Sequence, residues 1–153
     1  MLSILPWLTM AFAANIGGYI ADSAVARGVS VTLVRKVAQS IGFLGPAFFL
    51  TRLGDATTPV AAVACMMASQ GLDALGSNSG LYSNHQDIAP RYAGVLLGLS
   101  NSAGVLAGVL GTAATGFILT NGGWNDVWAV AVGLYIFGTV VFNLFATGER
   151  IID

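Results

Sequence analysis

The chain has 153 residues, of which 56% are hydrophobic, 8% are charged and 20 are glycine. Soluble domains carry about 25% charged residues, so there is too little polar surface here to clothe a water-soluble globule. The formal net charge of −1 argues against a general nucleic-acid field, and a single cysteine excludes an intrachain disulfide or a cysteine-rich metal site.

With a mean hydropathy of +0.78, the composition belongs to a bilayer. The opening run "MLSILPWLTMAFAANIGG" contains Ala11-Phe12-Ala13, which mimics a signal-peptide cleavage site. No Lys or Arg precedes it, and the uncharged run continues from Leu2 to Ala21. Twenty residues suffice to cross a hydrocarbon core of about 30 Å, so residues 2–21 read as a first span. Further weakly charged runs follow at 37–51, 59–83, 93–120 and 127–146. They lack strict alternation and exceed the length of a barrel strand, which leaves helices. The expected fold is an all-α membrane protein with five transmembrane helices.

Basic residues orient those helices. Five spans place residues 22–36, residues 84–92 and the tail after Thr147 on one side, with Arg27, Arg35, Lys36, Arg91 and Arg150. The other side has only Arg52, so the C-terminus is expected on the positive, cytoplasmic-equivalent side.

The third span holds the most informative polar residues. Gln70, Asp73, Ser77 and Asn84 are spaced to share one helical face. A carboxylate near mid-membrane costs about 2.5–3.5 kcal/mol on insertion scales. Such groups mark ion or substrate pathways, or else hold two helices together; the pathway reading is preferred here. Met66 on that face and Cys65 beside it are expected to be plain packing residues.

On the fourth span, Gly94, Gly98, Asn101, Gly104 and Gly108 cluster on one side, with bulky aliphatics opposite. Small residues allow close helix approach in lipid, as static packing or as a sliding contact. Between these spans lies "YSNHQDIAPRYAG", a polar segment expected to be a turn. Asp87 is positioned to cap the fourth helix and Pro90 to open it. His85 reads as a hydrogen-bonded interfacial residue, with a proton relay as the alternative. No nucleophile–base pair, metal-ligand spacing or phosphate loop is present, so neither enzyme chemistry nor a cofactor is expected.

The segment "GGYIADSAVARGVSVTLVRK" resembles the loop motif that major-facilitator transporters carry between helices 2 and 3 and between 8 and 9. Gly18, Asp22, Arg27, Gly28, Arg35 and Lys36 match its positions. "NHQDIAPRYAGVLLGLSNSAGVLAG" resembles the tenth-to-eleventh helix region of the organic and inorganic anion transporters, which include vesicular glutamate transporters, sialin and sodium–phosphate cotransporters. "VRKVAQSIGFLGPAFFL" and "NLFATGERIID" look most like the plant plastid branch.

The resemblance implies helices 8–12 of a twelve-helix fold in a plastid (chloroplast) membrane. The N-terminal helices would be supplied by further sequence. It also implies an anion, foremost inorganic phosphate, moved with Na⁺ or H⁺. On the residues' own placement, Gln70, Asp73, Ser77, Asn84 and Asn101 would belong to the pathway; the resemblance carries no anion-binding basic residue onto this chain and assigns the loop-motif residues, with His85, Asp87 and Arg91, to gating. Gly94, Gly98, Gly104 and Gly108 would pack helices. The competing reading is a non-transporting short isoform that binds or regulates a full-length partner.

Overall fold

The computed structural model describes residues 4–152, and within them the regular structure is all helical. The expected start of the first span, at Leu2, lies outside the described residues. Helix α1 (Leu5–Ala26) opens with Pro6 near its N-terminus and ends at Arg27. Gly28 then takes φ = +89°, a conformation L side chains rarely adopt, and turns the chain into α2.

Helix α2 (Val31–Gly54) starts at Ser30, whose hydroxyl accepts from Leu33 N–H. That is six residues before the apolar run from residue 37. The earlier start is possible because Arg35, in the added stretch, is buried against partners rather than in lipid. Helix α3 (Pro59–Ser77) is capped by Thr58 and opens on proline. It runs without a break through one π-helical turn (Asn78–Tyr82) into α4 (Ser83–Ile88).

The direction changes at Ala89 (φ −152°, ψ 74°), and a 3₁₀ turn over Pro90–Tyr92 leads into α5 (Ala93–Asn121). Gly122 and Gly123 link it to α6 (Trp124–Phe145), where the Asp126 carboxylate accepts from Gly123 N–H at 2.8 Å. Thus the polar stretch around Asn84–Asp87 is helix, not the expected turn, and the true turn is confined to Ala89–Tyr92.

Among the described residues, three helical segments are long and apolar enough to cross a membrane: Pro59–Ile88, Pro90–Asn121 and Trp124–Phe145. Helices α1 and α2 have 22 and 24 residues, a sufficient length at about 1.5 Å per residue. Asp22 in one, and Arg35, Lys36 and Arg52 in the other, lower their apolarity.

Helix α2 packs between α3 and α6, and α1 covers the other side of α3. The core is made of small residues: Ala21, Ala38, Ala47 and Ala74 are buried. At the α2–α3 crossing, a Cβ on Gly42 would lie 2.8 Å from Gly76 Cα, and one on Gly76 would overlap the Gly42 backbone. Glycine is required at both positions because the backbones touch. On α6, Gly138 receives the Phe43 ring, which also meets Tyr135 at 5.9 Å.

By contrast, α5 buries none of its residues and makes its main contacts with α4, the 3₁₀ turn and α6. A Cβ at Gly94, Gly98, Gly104 or Gly108 would meet nothing within 4 Å among the described residues. Their close-packing role is therefore not made among the described residues.

The Gly42–Gly76 contact has a direct test. Gly76→Ala should destabilise by about 1–3 kcal/mol through overpacking, whereas Gly98→Ala should be near neutral for this chain alone. Thermal unfolding in detergent reads the difference, and equal shifts for both variants would contradict the packing described.

Candidate functional site: a buried polar cluster at one end of the bundle

Residues 27–36, 84–92 and 146–152 meet at one end of the bundle. Arg35 is the centre of that end. Its Nε donates to Asp87 Oδ2 at 2.6 Å, Nη2 donates to Asp87 Oδ1 at 3.2 Å, and Nη1 donates to the Ser79 carbonyl at 2.9 Å. The two side chains are only 9% and 18% exposed. A fork-to-fork guanidinium–carboxylate pair with a further carbonyl acceptor is the geometry that offsets the cost of desolvating both ions.

Asp87 is thus an ion-pair partner of α2, not the cap of the fourth span expected from its position. Five residues separate it from the start of α5, with the Ala89 break between them, so the carboxylate faces inward.

One turn along α2 from Arg35, Gln39 is 1% exposed and accepts from Leu81 N–H at 2.8 Å through Oε1. Gly80 makes room for it, since a Cβ there would sit 2.7 Å from the same oxygen. Helix α2 therefore serves two backbone groups of the π turn, a type of irregularity that recurs at functional sites.

The C-terminal tail closes the same end. Asn84 Nδ2 donates to the Thr147 carbonyl at 2.6 Å, and Gly148 N–H donates to Thr32 Oγ1 at 2.8 Å. The N–H groups of Ile151 and Ile152 both reach the Ile88 carbonyl. Asn84 consequently leaves the face of Gln70, Asp73 and Ser77. The π turn adds about one residue to the helical repeat, which rotates the residues after it by about 100°.

His85 is buried, with Nε2 2.9 Å from Ser100 Oγ on α5, in line with a hydrogen-bonded structural residue. Its Nδ1, Gln39 Nε2 and Ser79 Oγ are buried without a protein partner among the described residues.

The remaining candidates lie apart from this cluster. Asp73 is half-buried in α3 and accepts from Ser77 Oγ at 3.4 Å, with Tyr135 of α6 within its electrostatic reach. Gln70 lines a small cavity of about 110 Å³ beside Met66, Cys65 and Trp128. Asn101 is exposed on α5. Of the loop-motif residues, Gly18 and Asp22 lie on α1, Arg27 and Gly28 form the turn, and Lys36 is half-buried on α2. Asp22, Arg27 and Arg91 are exposed.

Gln39 and Ser79 were not singled out by sequence reasoning. Gln39 carried a usable signal: it follows Arg35 by four residues, on the same helical face, inside an otherwise apolar run.

No family model matches the chain. Over all 153 residues it is 70% identical to "Ascorbate transporter, chloroplastic" of Arabidopsis thaliana. The whole chain is similar to chloroplastic anion transporters. It is 69% identical to "Sodium-dependent phosphate transport protein 1, chloroplastic" of Arabidopsis thaliana and to "Probable anion transporter 1, chloroplastic" of Oryza sativa subsp. japonica. The match takes in 28%, 30% and 29% of those three proteins, so the chain spans under a third of their length. All of the polar cluster lies inside the matched residues.

The Asn84 contact predicts how the tail is held. With Asn84→Ala, amide exchange at Gly148 and Ile151 should quicken roughly five- to tenfold, the size expected for losing about 1 kcal/mol. Unchanged exchange would show that the tail does not depend on Asn84.

Proposed function

We propose that these helices form one wall of a plastid-membrane anion transporter, with inorganic phosphate as the substrate and Na⁺ or H⁺ as the coupling ion. The observation that carries the reading is identity of 69–70% along the whole chain with relatives named as ascorbate and sodium-dependent phosphate transporters. Apolar helices with an exposed apolar surface support a bilayer setting. The twelve-helix major-facilitator architecture is part of this proposal, as are five spans with the Arg35 end on the positive side.

In this reading Asp73 holds the coupling cation. It is a half-buried acid in a membrane-length segment, and a carboxylate there attracts a cation and repels the transported anion. Gln70, Ser77 and Asn101 complete that pathway. The anion itself is met by cationic or helix-terminal groups supplied outside this chain, as transport between two rocking halves requires. The open small-residue face of α5, with Gly94, Gly98, Gly104 and Gly108, packs against those other helices. The Arg35–Asp87 cluster holds the end at which the halves open and close.

A chimera tests the proposal. The matching stretch of the Arabidopsis sodium-dependent phosphate transport protein 1 is replaced by this chain, and the product is reconstituted in proteoliposomes. Saturable uptake of labelled phosphate is expected, with labelled ascorbate as the comparison anion. Asp73→Asn should leave the amount of inserted protein unchanged and reduce uptake at least tenfold or abolish its Na⁺ or pH dependence. A chimera that inserts but carries no anion would contradict the proposal, and unchanged kinetics in Asp73→Asn would remove Asp73 from the pathway.

A further inference from the structure

A groove of about 610 Å³ runs along one side of α2, with Leu72 of α3 seated against Gly45. Its wall is a stripe of Leu33, Val37, Ile41, Leu44 and Phe48, each between 42% and 54% exposed. Spacings of four, four, three and four put all five on one helical face. Lys36, Ser40 and Asn143 also line the groove, and Lys36 sets its polar end near the start of α2.

Two of those three polar groups are engaged: Asn143 Nδ2 donates to Ser40 Oγ at 2.8 Å, and Ser40 Oγ donates to the Lys36 carbonyl at 2.7 Å. The Lys36 ammonium makes no ion pair among the described residues, and Asp87, the partly buried acid at this end, is held by Arg35. The result is a half-buried cation without a counter-ion among the described residues, at the head of an apolar channel.

We propose that this groove seats one anionic glycerolipid, with its phosphate or sulfonate on Lys36 and an acyl chain along the stripe to Phe48. The proposal rests on the membrane setting of the helices and not on the identity of the transported anion. Charge complementarity selects the headgroup, because basic residues at a membrane surface attract anionic lipid and a lysine stem can extend its ammonium to headgroup level.

Length selects the chain. One leaflet of hydrocarbon is about 15 Å deep, or about ten residues of helix, which carries a chain from Lys36 to within a turn of Phe48.

Native mass spectrometry of the full chain, released from detergent with phosphatidylglycerol or phosphatidylcholine of identical acyl chains, tests the assignment. The unchanged chain should retain phosphatidylglycerol roughly fivefold more, the equivalent of about 1 kcal/mol per basic residue. Lys36→Gln should abolish that preference, while Lys36→Arg and Arg91→Gln keep it. Ile41→Trp, which fills the groove, should lower retention of both lipids, and it decides the matter if Lys36→Gln loses helix content. Equal retention of the two lipids, or a preference that survives Lys36→Gln, overturns the proposal. Displacement of lipid by millimolar inorganic phosphate would also overturn it, by identifying a site for the free anion.

Discussion

The buried pair between Arg35 and Asp87 is the interaction on which one whole end of this bundle depends. An unpaired guanidinium in that position would carry a desolvation cost of several kcal/mol, so the fold must bring α4 to α2. It does so through the π turn. The wider turn carries Asp87 to Arg35 and presents the Ser79 carbonyl to the same guanidinium. Its Leu81 N–H is taken by Gln39, so α2 supplies partners to two groups that an unbroken α-helix would have used internally. With α4 fixed, Asn84 and the Ile88 carbonyl hold the tail, and the Ala89 break sets the direction of α5.

Polar anchoring at one end is matched by close backbone packing farther along. Between α2 and α3 there is no room for side chains at Gly42 and Gly76, and the buried residues around them are largely alanine. This is the economy of helices in lipid, where bulky apolar groups gain nothing by turning inward and contact comes from small residues. The large residues accordingly point outward: Phe12, Val109, Phe117, Phe137 and Phe145 are all more than 60% exposed. Helix α5 takes this furthest, with both its bulky and its small faces open. Its glycines are legible as a packing surface in the sequence, yet their neighbours are not among these residues.

Most of the helical layout was readable because apolar runs long enough to cross a bilayer have few other solutions. Helix ends were not: the start of α2 was missed because hydropathy assigns a cost to Arg35 without knowing that it has a partner 52 positions away. The same blindness misplaced Asp87: beside a helix start, a carboxylate reads as a cap until a buried cation is seen to claim it. Asn84 failed for a different reason. Its place on the Asp73 face assumed an unbroken 3.6-residue period, and nothing in "NSGLY" announces a π turn. Both changes move residues from a transport pathway or a turn into the structural anchor, and they leave Asp73 and Ser77 as the polar pair of the third span.

A double-mutant cycle on the ion pair measures this central interaction most directly. Unfolding free energies in detergent would be compared for the unchanged chain, Arg35→Gln, Asp87→Asn and the double variant. Each single change should cost about 3–5 kcal/mol by stranding a buried charge, and the double variant should cost less than their sum by about 0.5–3 kcal/mol. Strictly additive losses, or single changes without effect, would show that the end of the bundle is held by something other than this pair.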